Sequence, residues 1–199
     1  MALLRLNAEG RLCLKTALGS EEVQLQKPMH DVLLLLDTSG SMAGDKITQA
    51  KHGAIDFARS ANLRGCAIGL AVFGDDAALI SEPTVKTASF EKSVRDVEVG
   101  MVGGSTNLAA GLELAASFSR LSAVVVVTDG MPNSHSDALR AAEGLKRRGI
   151  DILCIGTDDA DTAFLAKLAT RSDLALHVEP QELRQFIGQA SRLLLGAGR

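Results

Sequence analysis

Residues 32–41 read Val32-Leu33-Leu34-Leu35-Leu36-Asp37-Thr38-Ser39-Gly40-Ser41, and this stretch decides the fold. Five apolar residues run without alternation, the pattern of a strand buried on both faces, as in a parallel sheet covered by helices. The run stops at Asp37, Ser39 and Ser41, three oxygen-bearing side chains within five positions. A helical pattern follows from about Asp45. In open α/β sheets such turns lie at the carboxyl ends of strands, where ligands bind.

A second buried-strand run, residues 123–128, ends in Asp129-Gly130. Between the two runs lies Gly103-Gly104-Ser105-Thr106, at the head of an apolar helical pattern. Together these give two carboxylates, two serine hydroxyls and a threonine hydroxyl. All are hard oxygen donors, suited to a small hard cation such as Mg²⁺, which takes six oxygens and usually keeps some water.

Three motifs carry a family resemblance: Asp-Thr-Ser-Gly-Ser-Met at 37–42, Gly-Gly-Ser-Thr-Asn-Leu at 103–108 and Thr-Asp-Gly at 128–130. The pattern resembles the metal-ion-dependent adhesion site (MIDAS) of von Willebrand factor A (VWA) domains, over roughly residues 30–195. All five ligand positions are filled: Asp37, Ser39, Ser41, Thr106 and Asp129. The resemblance implies that Ser39, Ser41 and Thr106 touch the metal and that Asp37 and Asp129 act largely through water. Mg²⁺ or Mn²⁺ is the expected ion, ahead of Ca²⁺. Neutral hydroxyls leave such a cation electrophilic, and an Asp or Glu carboxylate from a partner protein would fill its open position. Met42, Asp75, Asn133 and His135 lie on loops near that rim, either as partner contacts or as solvated loop residues.

The rest of the chain alternates strand and helix patterns. Helical spacing runs over 45–61, and buried or edge strands over 66–73 and 77–85. A short helix around 90–97 leads to the glycine-rich turn at 100–104. Helices follow at 106–119, 137–148, 161–169 and 180–195, with strands at 150–156 and 174–178. This order predicts a Rossmann-like, doubly wound α/β fold with a mostly parallel sheet, right-handed crossovers and helices on both faces. The resemblance adds the strand order 3-2-1-4-5-6, with the third strand an antiparallel edge. Residues 1–29 read as a separate β extension of two or three short antiparallel strands. There Leu4-Arg5-Leu6, Leu12-Cys13-Leu14-Lys15 and Val23-Gln24-Leu25-Gln26 alternate, and 8–10 and 19–21 look like turns. The domain division expected is therefore 1–29 and 30–199.

Composition narrows the function. A net charge of −3 offers no basic surplus for nucleic acid. With no Trp or Tyr and six Phe, stacking platforms for bases or sugars are not expected. Three scattered cysteines, Cys13, Cys66 and Cys154, form neither a disulfide framework nor a Cys/His metal pattern. No signal-peptide pattern opens the chain and no apolar stretch reaches membrane-span length, so the expected location is the cytoplasm.

Catalysis finds no support in the motifs. A haloacid-dehalogenase phosphatase needs a second Asp two positions after Asp37, where Ser39 stands. A phosphate loop of the Gly-x-x-x-x-Gly-Lys-Ser/Thr type is absent, and Gly103-Gly104-Ser105-Thr106 lacks the lysine. No Gly-x-Ser-x-Gly elbow occurs, and His30 precedes the first strand of the sheet, at its wrong end for a base. The expectation is a non-enzymatic adaptor or scaffold with no catalytic residues. By family analogy its partner belongs to an assembly around an AAA+ ATPase, a chaperone or a stress-response system. The competing readings are a module whose metal only holds the loops and, further off, a Mg²⁺-dependent hydrolase.

Overall fold

The computed structural model describes residues 3–6, 12–16, 19–22 and 30–196. Three short strands come first: β1 (Leu3–Leu6), β2 (Leu12–Thr16) and β3 (Gly19–Glu22), paired antiparallel as a sheet of their own. Residues 19–21, expected as a turn, instead pair with β2, Gly19 opposite Thr16 and Glu21 opposite Leu14. Ladder pairing overrides the turn preference of Gly and Ser. The strand expected at 23–26 and the turn expected at 8–10 fall outside the described residues.

The six-stranded sheet is built from β4 (His30–Asp37), β5 (Cys66–Phe73), β6 (Ala77–Thr84), β7 (Leu121–Thr128), β8 (Asp151–Gly156) and β9 (Ala175–His177). Its order is β6-β5-β4-β7-β8-β9, which is the expected 3-2-1-4-5-6. All pairs are parallel except β5 with β6, which places the antiparallel strand at the edge. The apolar runs explain the centre of the sheet. Val32–Leu36 of β4, all of β5 and 123–128 of β7 are buried, so neither face of these strands meets water.

Helices close both faces. One group is α1 (Asp45–Asn62), α2 (Thr87–Arg95) and α6 (Leu183–Gly196), with α1 packed on the other two. The other group is α3 (Leu108–Ala116), α4 (His135–Arg147) and α5 (Thr162–Leu168), packed in that succession. Helix α1 buries Ala50, Ala54, Phe57, Ala58 and Ala61, the stripe its spacing predicts. Close approach depends on missing side chains at two points. A Cβ on Gly53 would come 2.8 Å from the Ile187 Cβ of α6, and one on Gly111 of α3 would come 2.8 Å from Leu35 Cδ2. Both helices therefore lie closer to their neighbours than a larger residue permits.

Several boundaries move. Helix α3 starts at Leu108, with Asn107 as its cap, its Oδ1 accepting from the Ala110 amide. Thr106, expected at the start of this helix, therefore stands in the loop ahead of it. Helix α4 begins two residues early because Ser134 caps it, and Asp161 caps α5. Among the described residues no helix is long and apolar enough to cross a membrane.

Candidate metal centre

Strand register brings the polar residues together. Leu36 pairs with Val127, so Asp37 and Thr128 emerge side by side at the carboxyl ends of β4 and β7. Thr128 pairs with Gly156 of β8, which sets Asp129 beside the turn that carries Asp158. On the other flank Asp37 pairs with Phe73, so the loop after β5, with Asp75, borders the same crevice.

Asp37 is the fixed point. It is fully buried, and its Oδ1 accepts from the Ser39 amide at 2.8 Å while its Oδ2 accepts from the Thr128 hydroxyl at 2.6 Å. Burial pushes its pKa above the usual carboxylate value against these hydrogen bonds, and the nearby Asp129 charge adds to the rise. The bracket curls the chain so that Ser39 Oγ and Ser41 Oγ lie 3.1 Å apart. The Ser41 hydroxyl donates to Asp129 Oδ1 at 2.7 Å. The structure thus gathers Asp37, Ser39, Ser41 and Asp129 in one hydrogen-bonded chain.

Thr106 arrives from the far side. A Cβ placed on Gly130 would lie 3.8 Å from its Oγ1, so the hydroxyl faces the turn after Asp129. Its loop is held by Asn133 and Asp75, which the sequence left as either partner contacts or solvated loop residues. Asn133 accepts from the Thr106 amide at 3.1 Å, donates its own amide to the Thr106 carbonyl at 2.9 Å, and donates its Nδ2 to Ser105 Oγ at 3.0 Å. Asp75 Oδ1 accepts from the Ser105 amide at 2.8 Å, and hydrogen bonds from Ser105 hold its carboxyl below the usual carboxylate range. Both residues position the loop. Met42 is fully buried in the core, which excludes it as a partner contact. His135 is exposed, at the start of α4, with its ring edge-on to Phe164 at 4.6 Å.

Two further residues, outside the three sequence motifs, line the crevice. Lys46, in the first turn of α1, donates to Asp129 Oδ2 and, at 2.8 Å, to Asp158 Oδ2. Loss of water around the ammonium works against its charge, but the hydrogen bonds and charges of Asp129 and Asp158 outweigh it. Its pKa accordingly lies above the ordinary lysine value. Asp158 holds the left-handed backbone, φ 48°, that Asp tolerates better than most residues. A sequence signal existed for each. A lysine in the first turn of a helix opposes the helix dipole unless a carboxylate answers it, and Asp158-Asp159 follows the end of a buried strand.

The donor set suits a small dication. Three hydroxyls and two carboxylates, all oxygen, lie at the ends of β4 and β7 and on the facing loop before α3, and an ammonium already answers the negative potential there. Among the described residues no three His, Cys, Asp or Glu side chains group as metal ligands, so a metal here depends on hydroxyl oxygens. Among the described residues Asp37 and Asp129 are the buried acids.

The model of the von Willebrand factor type A domain matches residues 31–188. An uncharacterized protein of Borreliella burgdorferi is 26% identical over 166 residues, covering 73% of this chain and 47% of the relative. The chain thus spans about half the length of that curated relative. Among solved structures, proximal thread matrix protein 1 from the mussel byssus superposes with TM-score 0.74 and 18% identity. The match covers 83% of this chain and 46% of that one. Another structure of the mussel protein has a zinc-occupied MIDAS motif (TM-score 0.65, 17% identity, covering 81% of this chain and 46% of that one). The von Willebrand factor domain of a type V pili tip protein from Porphyromonas gingivalis superposes with TM-score 0.73 and 14% identity, covering 85% of this chain and 96% of that one. At such identities these structures bear on the fold alone. The family match, spanning most of the chain, and the sheet order agree: the chain belongs to the von Willebrand factor type A domain family.

Proposed function

We propose that this domain is a metal-dependent protein-interaction module, in which a divalent cation of the Mg²⁺ class takes an acidic side chain of a partner protein. The observation that carries this reading is the junction of Ser39, Ser41 and Asp129 at the carboxyl ends of β4 and β7, with Thr106 facing it. Ser39, Ser41 and Thr106 would hold the ion, and Asp37 and Asp129 would hold its waters. When bound, the ion supplies an electrophilic position for a carboxylate. The zinc in the mussel protein's MIDAS motif supports a metal in this fold.

The chain's own residues do the remaining work. Asp37 orients the serine turn through the Ser39 amide. Asn133 and Asp75 fix the loop that presents Thr106. Two apolar side chains stand free near the crevice, Met131, two residues past Asp129, and Met101, beside Gly100, whose amide donates to the Thr38 carbonyl. They suit a partner whose acidic residue has apolar neighbours, since burying isolated exposed methionines on contact is favourable. An adaptor or scaffold in a cytoplasmic assembly is the setting we infer, by family analogy.

The test is capture of partner from native lysate on the immobilised chain, in Mg²⁺, in EDTA, and with Ser39→Ala in Mg²⁺. The expected result is a partner retained only by the unaltered protein in Mg²⁺. Equal retention in all three lanes would remove the metal from recognition and leave it a structural part at most.

A further inference from the structure

Lys46 is held where a divalent cation needs room. Its side chain is 18% exposed and that of Asp129 is 0% exposed, so the pair lies largely out of water. Both oxygens of Asp129 are engaged, Oδ1 by the Ser41 hydroxyl and Oδ2 by the Lys46 ammonium. A dication on Ser39 and Ser41 needs Asp129 to hold its waters, and it repels an ammonium on the same buried carboxylate. The ammonium also has a second seat. Asp158, with a 38% exposed side chain, accepts from it at 2.8 Å, and the Asp158 carbonyl lies 3.2 Å from His177 Nε2. The turn into α1 through Gly44, at φ 81°, sets Lys46 between the two carboxylates, and a lysine stem has the rotatable bonds to favour either.

We propose that Lys46 is a tethered counter-cation that competes with the divalent ion for Asp129, releasing it by moving wholly onto Asp158. The inference rests on the reading of the crevice as a metal site. It gives the buried Asp129 carboxylate a positive partner from the chain itself. It also makes the metal exchangeable, because a cation of the chain stands ready to replace it. Coupling of this kind is reciprocal: whatever Lys46 subtracts from metal affinity, bound metal subtracts from the hold of Asp129 on Lys46.

The test is calorimetric titration of MnCl₂ into the full chain. Lys46→Met removes the ammonium and keeps the stem, and should bind Mn²⁺ about tenfold more tightly than the unaltered protein, within the usual range of such couplings. Lys46→Arg keeps the charge and should stay near the unaltered protein. Asp158→Asn leaves the ammonium only Asp129 and should weaken Mn²⁺ binding by about threefold. Equal or weaker binding by Lys46→Met overturns the proposal. Should that variant fail to fold, Asp158→Asn decides: weaker binding supports competition, while equal or tighter binding overturns it. Absence of Mn²⁺ binding in both the unaltered protein and Lys46→Met defeats the metal reading itself, and the competition with it, an outcome distinct from unchanged affinity.

Discussion

Asp129→Ala should lower Mn²⁺ affinity by about a hundredfold, the upper part of the range for residues that hold a metal's waters. Its folded stability without metal should fall by only about 1–2 kcal/mol, because each hydrogen-bond partner of Asp129 keeps another. The reason lies in what Asp129 touches. Its loss takes an acceptor from the Ser41 hydroxyl, but Ser41 is exposed and water can answer it. It takes one of two partners from Lys46, which keeps Asp158. It also removes the negative charge that disfavours ionised Asp37, a gain that offsets part of the loss. Calorimetry with Mn²⁺ and thermal melts in EDTA check the two halves separately. Unchanged affinity would take Asp129 out of the metal centre, and a collapse of stability would make it a structural residue.

Asp37 should carry more of the fold's stability, through the buried donors it holds. Asp37→Ala leaves the Ser39 amide without its acceptor in a buried turn, and leaves the Thr128 hydroxyl only the longer contact to the Gly130 carbonyl at 3.4 Å. Buried donors left unpaired cost about 1–3 kcal/mol each, so a loss of about 2–4 kcal/mol is expected in denaturant unfolding. Asp37→Asn keeps an oxygen for the Ser39 amide, and the Thr128 hydroxyl can accept from the new amide. Burial already disfavours the charged carboxylate, so the neutral amide should fold with near-original stability. Mn²⁺ affinity should still fall by about ten- to a hundredfold, because the charge that balances the ion is gone. A stable Asp37→Asn protein with full affinity would show that Asp37 serves only the turn.

Much of this was legible in the chain because the decisive signals are local. The unbroken runs at 32–36 and 123–128 have the pattern of strands buried on both faces, and each is followed by the carboxylate that the crevice uses. Residues whose roles depend on register and reach were not legible. Lys46 meets Asp158 across 112 positions of sequence, through the pairing of β7 with β8 and a long side chain, and no local pattern encodes that meeting. Asn133 and Asp75 looked like free rim residues because loops are polar whether they bind partners or brace one another. Met42 sits in a polar stretch, yet the short turn at Gly40–Met42 folds it into the core. The strand at Gly19–Glu22 shows pairing prevailing over turn-like composition.

The most direct measurement is the anomalous difference map of crystals of the full chain soaked in MnCl₂ with acetate as the carboxylate. The expected result is a single manganese peak bonded to the Ser39 and Ser41 hydroxyls, an acetate oxygen on its open side, and the Lys46 ammonium resting on Asp158 alone. Manganese bound elsewhere, or none at saturating concentration with Lys46 still on Asp129, would contradict it.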